Sequence, residues 1–309
     1  MKKMIIILGS LVVIIGIALF GAGMYFYNVA IAINDKDFLA AEPSKKDDPW
    51  KTQKEWYQSA PREKRSITSD DGLKLNALYI PAAEPSKKTV ILAHGYGGNY
   101  EQMSPYAKLF HDWGYNVLAP DARGHGTSEG SYIGFGWHER KDYLKWIDLM
   151  ITETGSATEL ALFGVSMGGA TVMMTSGEEL PSNVKVIVED CGYSSVTDEL
   201  VYQLKDMYNL PSFPLIPVTS VVTKLKAGYS FGEASAVEQL KKNKTPMLFI
   251  NGDKDLFVPT EMVYENYEAT TAPKELYIVK GAGHAEAYVK DKKGYEKEIH
   301  DFVSTYIKE

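Results

Sequence analysis

The amino-acid sequence predicts an α/β fold with a mostly parallel central sheet, an antiparallel hairpin at one edge and a separate apolar helix at the N-terminus. Short apolar segments alternate with helical segments from about residue 89 onwards, a pattern typical of βαβ units. The turn signal Asp70-Asp71-Gly72 separates two extended segments and indicates the hairpin. Thirty uncharged residues, 4–33, precede all of this and predict the N-terminal helix.

The N-terminal segment is long and apolar enough to cross a bilayer. Residues 4–20 contain twelve Ile, Leu, Val or Phe, and about 20 apolar residues span the hydrocarbon core. We interpret residues 1–33 as a transmembrane signal anchor. Lys2 and Lys3 precede it and predict a cytoplasmic N-terminus. The expectation is a single-pass protein of the cell membrane whose folded domain lies outside the cytoplasm.

A cleaved signal peptide is the main alternative to this anchor. Its apolar region is normally about 7–15 residues long, which is shorter than the segment here. Small-residue sites at 30–32 and 40–41 nevertheless permit cleavage, after which the protein would be secreted. A buried core helix is disfavoured, because such a helix would normally have a polar face. The polar residues 34–61 are predicted to form a stalk with a short helix around Lys51–Ser59.

Residues 62–309 are predicted to form one domain. Its strands are predicted at 67–68 and 73–81 for the hairpin, then at 89–93, 116–119, 160–165, 184–188, 247–251 and 276–279. Its helices are predicted at 105–113, 137–151, 167–176, 261–267 and 295–307. Segments such as 89–93 are wholly apolar, as expected of strands buried on both faces of a sheet.

Residues 194–236 interrupt the alternation of strands and helices. They carry helical patterns at 198–208 and 218–225 and three prolines, without a clear strand. We predict that they form a helical cap insertion. Ligands of open α/β sheets bind beyond the carboxyl ends of the strands, so a cap at these ends would cover the site.

The overall composition limits the possible function classes. The 309 residues carry a net charge of −7 and no long basic tract, which argues against nucleic-acid binding. Cys191 is the single cysteine, so an intramolecular disulfide and a cysteine-based zinc cluster are excluded. No dinucleotide or phosphate-loop motif and no metal-binding cluster occurs in the sequence. No cofactor is therefore expected.

The motif Gly-x-Ser-x-Gly occurs twice, at Ser128 and at Ser166. Around Ser128 the chain is rich in glycine, with no strand before it and no helix after it. Ser166 follows a predicted strand and precedes a predicted helix. A nucleophilic serine of this motif needs that strand–turn–helix arrangement, which exposes its hydroxyl at the end of the sheet. Ser166 is therefore the candidate nucleophile.

A serine nucleophile needs a histidine base and an acid that orients the histidine. The usual chain order for this motif is Ser, Asp or Glu, then His. Of the two histidines after Ser166, His300 lies inside the last helix, whereas His284 follows the strand predicted at 276–279. Asp253 and Asp255 both follow the strand predicted at 247–251, and position alone does not separate them.

Four motifs of this sequence resemble those of the α/β-hydrolase superfamily. They are His94-Gly-Tyr-Gly-Gly98, Asp121-x-Arg-Gly-His-Gly-x-Ser-Glu129, Gly164-x-Ser-x-Gly-Gly169 and Gly252-x-x-Asp255-x-x-Val258-Pro259. The likeness is greatest to bacterial membrane-anchored hydrolases of the serine aminopeptidase and cinnamoyl-esterase branches, and it covers about residues 62–309. It implies the α/β-hydrolase fold with helices on both faces of the sheet.

The resemblance also implies several residue roles. It selects Asp255 as the acid, and it assigns the oxyanion hole to the backbone N–H groups of Tyr96 and Met167. The loop 121–129 is expected to be structural. Cys191 is expected to be a small buried thiol rather than a nucleophile.

These residues predict a serine hydrolase that cleaves carboxylic esters through an acyl-enzyme intermediate. An extracytoplasmic serine peptidase or amidase is the alternative, for which the cap offers Glu199, Asp206 and Glu233. A non-catalytic surface scaffold is a further alternative. The expected partners are a small-molecule ester or amide and the membrane, and the sequence identifies no protein partner. Tyr96 and two cap residues, Phe213 and Leu215, are candidates for the acyl pocket.

Overall fold

The computed structural model describes residues 2–34 and 48–308. Its strands are β1 (Glu63–Thr68), β2 (Lys74–Ile80), β3 (Lys88–Ala93), β4 (Asn116–Pro120), β5 (Glu159–Val165), β6 (Val184–Asp190), β7 (Met247–Gly252) and β8 (Lys274–Val279). They form one sheet in the order β1-β2-β4-β3-β5-β6-β7-β8. The β1–β2 and β2–β4 pairs are antiparallel and the other pairs are parallel, as predicted.

The helices connect these strands and cover both faces of the sheet. They are α1 (Lys2–Ala30), α2 (Lys51–Ser59), α3 (Ser104–Asp112), α4 (Glu139–Thr154), α5 (Met167–Ser176), α6 (Val196–Tyr208), α7 (Ser212–Ala227), α8 (Ala236–Leu240), α9 (Glu261–Ala269), α10 (Ala287–Lys290) and α11 (Lys292–Tyr306). The short helices α8 and α10 were not among the predicted elements. At four or five residues each they are too short for a helical period to be recognised.

The buried side chains form two apolar clusters, one on each face of the sheet, and successive residues of the central strands alternate between them. In β5, Leu160 and Leu162 belong to one cluster, whereas Ala161 and Phe163 belong to the other. Successive side chains of a strand point to opposite faces, and here both faces are covered by helices. A strand buried on both faces is therefore expected to be apolar throughout, as β5 is from Leu160 to Val165.

The first helix has two parts with different surroundings. Its side chains from Met4 to Phe20 are largely exposed, and α1 is long and apolar enough to cross a membrane. In contrast, Tyr27 and the following Ile31 are buried in the core of the domain. The backbone carbonyl of Ile31 accepts a hydrogen bond of 2.8 Å from the N–H of Ile133. The sequence did not indicate this docking, because the apolar residues surround the helix evenly.

Most of the predicted stalk, residues 35–47, lies outside the described residues. The short helix predicted at its end is present as α2. Tyr57 of α2 is fully buried, and its hydroxyl donates a hydrogen bond of 3.1 Å to the carbonyl oxygen of Tyr100. The end of the predicted stalk thus packs on the domain.

The segment predicted as a cap consists mainly of α6 and α7. An isolated antiparallel bridge between Ser195 and Ser235 ties its two ends together. Helix α7 begins earlier than the predicted 218–225. The backbone at Phe213 is extended, with φ −93° and ψ 131°, so the regular helix starts at Pro214, where the missing N–H group costs no helical hydrogen bond. The cap lies over the carboxyl ends of the strands, where its side chains line a cavity next to Ser166.

Candidate active site

Ser166 occupies the tight turn between β5 and α5. Its backbone has φ 57° and ψ −118°, a strained conformation for a residue other than glycine. The glycine two residues later allows this turn to approach β3, since a Cβ atom on Gly168 would lie 2.0 Å from the carbonyl oxygen of Ala93. The turn thereby presents the Ser166 hydroxyl at the end of the sheet, as the nucleophile of this motif requires.

The second serine of the same motif has a different environment. The Ser128 hydroxyl donates to the carbonyl oxygen of Asp121 at 2.7 Å and accepts the N–H of Asn76 at 2.9 Å. The first contact closes the loop 121–129 on itself, and the second fastens the loop to β2. Ser128 is therefore part of the structure of this loop.

His284 lies between Ser166 and Asp255 and contacts both. Its Nε2 is 2.8 Å from Ser166 Oγ, and its Nδ1 is 2.7 Å from Asp255 Oδ2. The other Asp255 oxygen, Oδ1, accepts the N–H groups of Phe257 and Val258, each at 2.9 Å. The structure thus brings together three residues that lie far apart in the sequence.

Asp253, the other aspartate that follows β7, has a different contact. Its Oδ1 accepts the N–H of Gly281 at 2.5 Å. This bond connects the loop after β7 to the loop that carries His284. Asp253 therefore supports the backbone, and it is Asp255 that contacts the imidazole.

The two residues with the predicted oxyanion-hole N–H groups, Tyr96 and Met167, line cavities together with Ser166. Met167 is the first residue of α5, and the first N–H groups of a helix have no acceptor within the helix. The loop before Tyr96 lies against the serine, because a Cβ atom on Gly95 would be 3.5 Å from Ser166 Cβ. Buried His94 braces this loop, with its Nδ1 2.8 Å from the Gly95 carbonyl oxygen.

Two cavities meet at Ser166. The first lies between α1, the cap and the serine and has a volume of about 90 Å³. Only four of its twenty lining residues are polar: Ser166, Glu199, Gln203 and Thr219. The second lies on the His284 side of the serine and has a volume of about 470 Å³. Such an arrangement can hold the two parts of a substrate on either side of the hydroxyl.

Several of the predicted lining residues occupy different positions. Tyr96 and Leu215 line the apolar cavity, whereas Phe213 does not and is 76% exposed. Of the three cap carboxylates, only Glu199 lines the cavity, and its Oε1 accepts Gln203 Nε2 at 2.9 Å. Burial raises the pKa of Glu199 to about 7. Glu233 instead pairs with Lys224 at 3.0 Å.

The buried acid Asp190 and the neighbouring cysteine lie close to His284 and Asp255. Asp190 accepts a hydrogen bond of 2.7 Å from the Tyr295 hydroxyl, and burial raises the pKa of Asp190 to about 6. The Cys191 thiol lies within 4.8 Å of ligand atoms of Asp255 and His284. Burial raises its pKa well above the usual value, so the thiol stays protonated, which fits neither a metal ligand nor a nucleophile.

The N-terminal helix contributes residues to this site that could not be recognised in the sequence. Phe26, Val29 and Ala30 of α1 line the apolar cavity. Val29 and Ala30 lie three and four positions after Phe26, which is the spacing of one helix face. That spacing is hard to recognise in the sequence, because α1 is apolar on all sides.

Comparisons with known proteins show sequence similarity to a hydrolase family and to proteins of several organisms. Residues 84–203 match the family model described as serine aminopeptidase, S33. The protein YqkD of Bacillus subtilis is 29% identical over 306 residues, which cover 98% of this chain and 97% of YqkD. The membrane protein YNL320W of Saccharomyces cerevisiae is 26% identical over 246 residues, which cover 79% of this chain and 80% of that protein.

Solved structures share the fold. The esterase Pf2001 of Pyrococcus furiosus superposes with a TM-score of 0.64 at 23% identity, covering 80% of this chain and 94% of the esterase. Acetyl xylan esterase 1 of Thermoanaerobacterium gives a TM-score of 0.58 at 17% identity, with 85% and 94% coverage. The match of residues 84–203 and the shared fold show that this chain has the α/β-hydrolase fold and resembles serine hydrolases.

Proposed function

We propose that this protein hydrolyses carboxylic esters, with Ser166 as nucleophile, His284 as general base and acid, and Asp255 as the residue that orients His284. The observation that carries the proposal is the continuous hydrogen-bonded relay from Ser166 Oγ through the imidazole to Asp255. Such a relay activates a serine hydroxyl that is otherwise a weak nucleophile.

The first half of the reaction forms an acyl-enzyme. Ser166 Oγ attacks the ester carbonyl carbon while its proton moves to His284 Nε2. The N–H groups of Tyr96 and Met167 stabilise the negative charge that develops on the carbonyl oxygen. When the tetrahedral intermediate collapses, the carbon–oxygen bond to the alcohol breaks, and the alcohol leaves with the proton from His284.

The second half regenerates the enzyme. A water molecule attacks the acyl carbon and gives a proton to His284. The bond to Ser166 Oγ then breaks and Oγ recovers a proton from the imidazole, which releases a carboxylic acid. Asp255 holds the Nδ1–H tautomer throughout and stabilises the imidazolium in both halves. The two N–H bonds to Asp255 Oδ1 fix the carboxylate for this role.

The apolar cavity favours an ester over a peptide with a free amine. An ammonium group would require a charged carboxylate, and Glu199 is the only carboxylate among the described residues that line this cavity. Burial raises its pKa to about 7, so much of it is neutral at physiological pH. A peptidase or amidase is therefore the second candidate, and it predicts faster cleavage of aminoacyl amides than of simple esters.

We further propose that α1 anchors the protein in the cell membrane with its N-terminus in the cytoplasm. Its length and composition support an anchor, and Lys2 and Lys3 support this orientation. Residues 34–61 then connect the anchor to a hydrolase domain at 62–309 with its cap at 194–236, outside the cytoplasm. Protease added to intact cells should digest the domain, whereas a protein with the opposite orientation would be protected.

The two Gly-x-Ser-x-Gly motifs provide a matched test of the activity. Ser166→Ala and Ser128→Ala should be prepared as full-length protein in detergent micelles and assayed with p-nitrophenyl butyrate. We expect Ser166→Ala to lower kcat by a factor on the order of 10⁶, and Ser128→Ala to keep it within about threefold, because Ser128 contacts only structural groups.

A fluorophosphonate probe separates an enzyme from a scaffold. It should label the parent and the Ser128→Ala variant but not Ser166→Ala. Full activity of Ser166→Ala, or an inactive and unlabelled parent, would contradict the proposed function.

A further inference from the structure

The end of α1 forms one wall of the apolar cavity at Ser166. Phe26, Val29 and Ala30 line it from this side. The opposite wall comes from the cap, mainly from apolar residues of α6 and α7: Leu200, Leu204, Met207, Leu215 and Ile216. The helix that we propose as the membrane anchor therefore also bounds the site at which the substrate reacts.

This wall is fixed to the domain by close contacts. Gly23 lies so near α7 that a Cβ atom there would be 2.7 Å from Val218 Cγ1. The edge of the Phe26 ring meets Tyr208 of α6, with ring centroids 5.5 Å apart. The carbonyl oxygen of Ala30 accepts a hydrogen bond of 2.7 Å from the Tyr96 hydroxyl. The last two turns of α1 are thus part of the domain.

The dimensions of α1 place the cavity at the membrane surface. A hydrocarbon core of about 30 Å takes up about 20 residues of a helix, so a span that starts at Met4 ends near Gly23. At a rise of about 1.5 Å per residue, Phe26 lies about 5 Å and Val29 about 9 Å beyond that point. Both residues are then level with the lipid headgroups, close to the points at which the acyl chains are attached.

The cap also exposes apolar side chains beside α1. Leu225 and Val221 of α7, the helix that packs against Gly23, are 74% and 59% exposed, and Met207 of α6 is also exposed. Exposed apolar patches next to a membrane-spanning helix are typical of surfaces that contact lipid. Because α7 packs against Gly23, these side chains lie close to the lipid layer from which the proposed anchor emerges.

We propose that the substrate is a long-chain acyl ester taken from the membrane, whose apolar tail lies in the cavity between α1 and the cap. The ester carbonyl reaches Ser166, and the alcohol part occupies the cavity on the His284 side. The last turns of α1 therefore determine chain-length specificity as well as anchoring. This inference rests on the proposed ester hydrolysis and adds a substrate class and its source.

The test compares chain lengths in a variant whose cavity is filled from α1. Full-length parent protein and Val29→Trp are assayed in mixed micelles with p-nitrophenyl butyrate and p-nitrophenyl palmitate. We expect the parent to have a kcat/KM at least tenfold higher for palmitate. Val29→Trp should lower the ratio of the palmitate value to the butyrate value by tenfold or more. Asn28→Trp, at an exposed position outside the cavity, should leave the ratio unchanged.

A second variant covers the case in which Val29→Trp does not fold. Phe26→Ala removes part of the wall, and it should raise KM for palmitate relative to KM for butyrate by about fivefold or more. Labelling by a short fluorophosphonate probe checks that each variant has an assembled site. A parent that prefers butyrate, or variants that change both substrates equally or neither, would overturn the inference while ester hydrolysis stands. A Ser166→Ala protein as active as the parent would instead overturn ester hydrolysis itself.

The membrane source is tested with nanodiscs. The parent protein and p-nitrophenyl palmitate are placed either in the same discs or in separate discs. We expect hydrolysis to be at least tenfold faster in shared discs. Equal rates in the two arrangements would overturn uptake from the surrounding membrane.

Discussion

The hydroxyl of Tyr96 donates a hydrogen bond of 2.7 Å to the backbone carbonyl oxygen of Ala30, the last residue of α1. The same tyrosine carries one of the two N–H groups of the proposed oxyanion hole. One side chain therefore connects the proposed membrane anchor to the loop that would stabilise the developing charge. The position of this loop depends on the docking of α1.

Replacing Tyr96 by Phe tests this connection. The lost hydrogen bond should lower the free energy of unfolding by about 1 kcal/mol. We also expect kcat for p-nitrophenyl butyrate to fall by about three- to tenfold, because an oxyanion donor that is less well positioned stabilises the transition state less. Urea denaturation and steady-state kinetics measure the two effects.

Tyr143→Phe is the matched control for that substitution. The Tyr143 hydroxyl donates to the carbonyl oxygen of Leu92 at 3.1 Å, in the core and without a contact to α1. The Tyr143→Phe variant should lose as much free energy of unfolding as Tyr96→Phe, and its kcat should stay unchanged. Equal effects of the two substitutions on kcat would show that the Tyr96 bond serves stability alone.

The acid of the proposed triad is tested by comparing the two aspartates after β7. Asp255→Asn should lower kcat by about 10⁴, because the amide stabilises the wrong imidazole tautomer. Asp253→Asn should keep kcat within about tenfold, since Asp253 bonds only the backbone of Gly281. Kinetics with p-nitrophenyl butyrate at pH 8 measures both. A greater loss of kcat in Asp253→Asn than in Asp255→Asn would show that Asp255 is not the acid.

Local patterns were sufficient to predict most of the fold. The central strands are mostly apolar because they are buried on both faces, and this makes them recognisable without a structure. Ser166 comes directly after such a strand, and His284 lies in the loop that follows β8. The choice between Asp253 and Asp255 needed the family resemblance, because both aspartates follow β7 and spacing alone did not separate them.

Local sequence patterns did not predict the contacts between segments that are distant in the sequence. Nothing in the sequence around Gly23 or Phe26 indicates that α1 packs against α7, because a membrane-spanning helix is apolar on every side. The buried pairing of Arg123 with Asp142 is equally hidden, since charged residues are usually exposed. Such contacts depend on how the elements are arranged in three dimensions.

The buried ion pair between Arg123 and Asp142 should be a main support of the loop 121–129. Arg123 Nε and Nη2 each donate a bond of 2.8 Å to Asp142, and both side chains are about 4% exposed. Arg123→Ala leaves a buried carboxylate unpaired and should cost about 3–5 kcal/mol of stability. The folded fraction should keep its kcat, because neither residue contacts Ser166 or His284.

An exposed ion pair on the same helix is the control for this experiment. Lys145 of α4 pairs with Asp70 at 2.7 Å on the surface, and Lys145→Ala should cost less than about 1 kcal/mol. Urea denaturation measures both variants. A loss in Arg123→Ala no greater than in Lys145→Ala would contradict a structural role for the buried pair.

His94 should make the stability of the protein depend on pH. The buried imidazole is neutral, with Nδ1 contacting the Gly95 carbonyl at 2.8 Å and Nε2 accepting the N–H of Ala122 at 3.0 Å. Burial lowers the pKa of His94 from 6.5 to about 4. Between these values the unfolded chain binds a proton that the folded protein does not bind. Its contribution to stability is therefore complete above pH 6.5 and is lost as the pH falls towards 4.

This linkage amounts to about 2 kcal/mol of lost stability at pH 5 and about 3 kcal/mol below pH 4. In His94→Asn the position no longer titrates, although stability at pH 7.5 falls because Ala122 loses its acceptor. Urea denaturation of both proteins at pH 7.5 and pH 5 isolates the effect, since other titrating groups contribute equally to each. The difference in stability between the two proteins should shrink by about 2 kcal/mol at pH 5. A constant difference would mean that His94 binds its proton equally well in the folded and unfolded states.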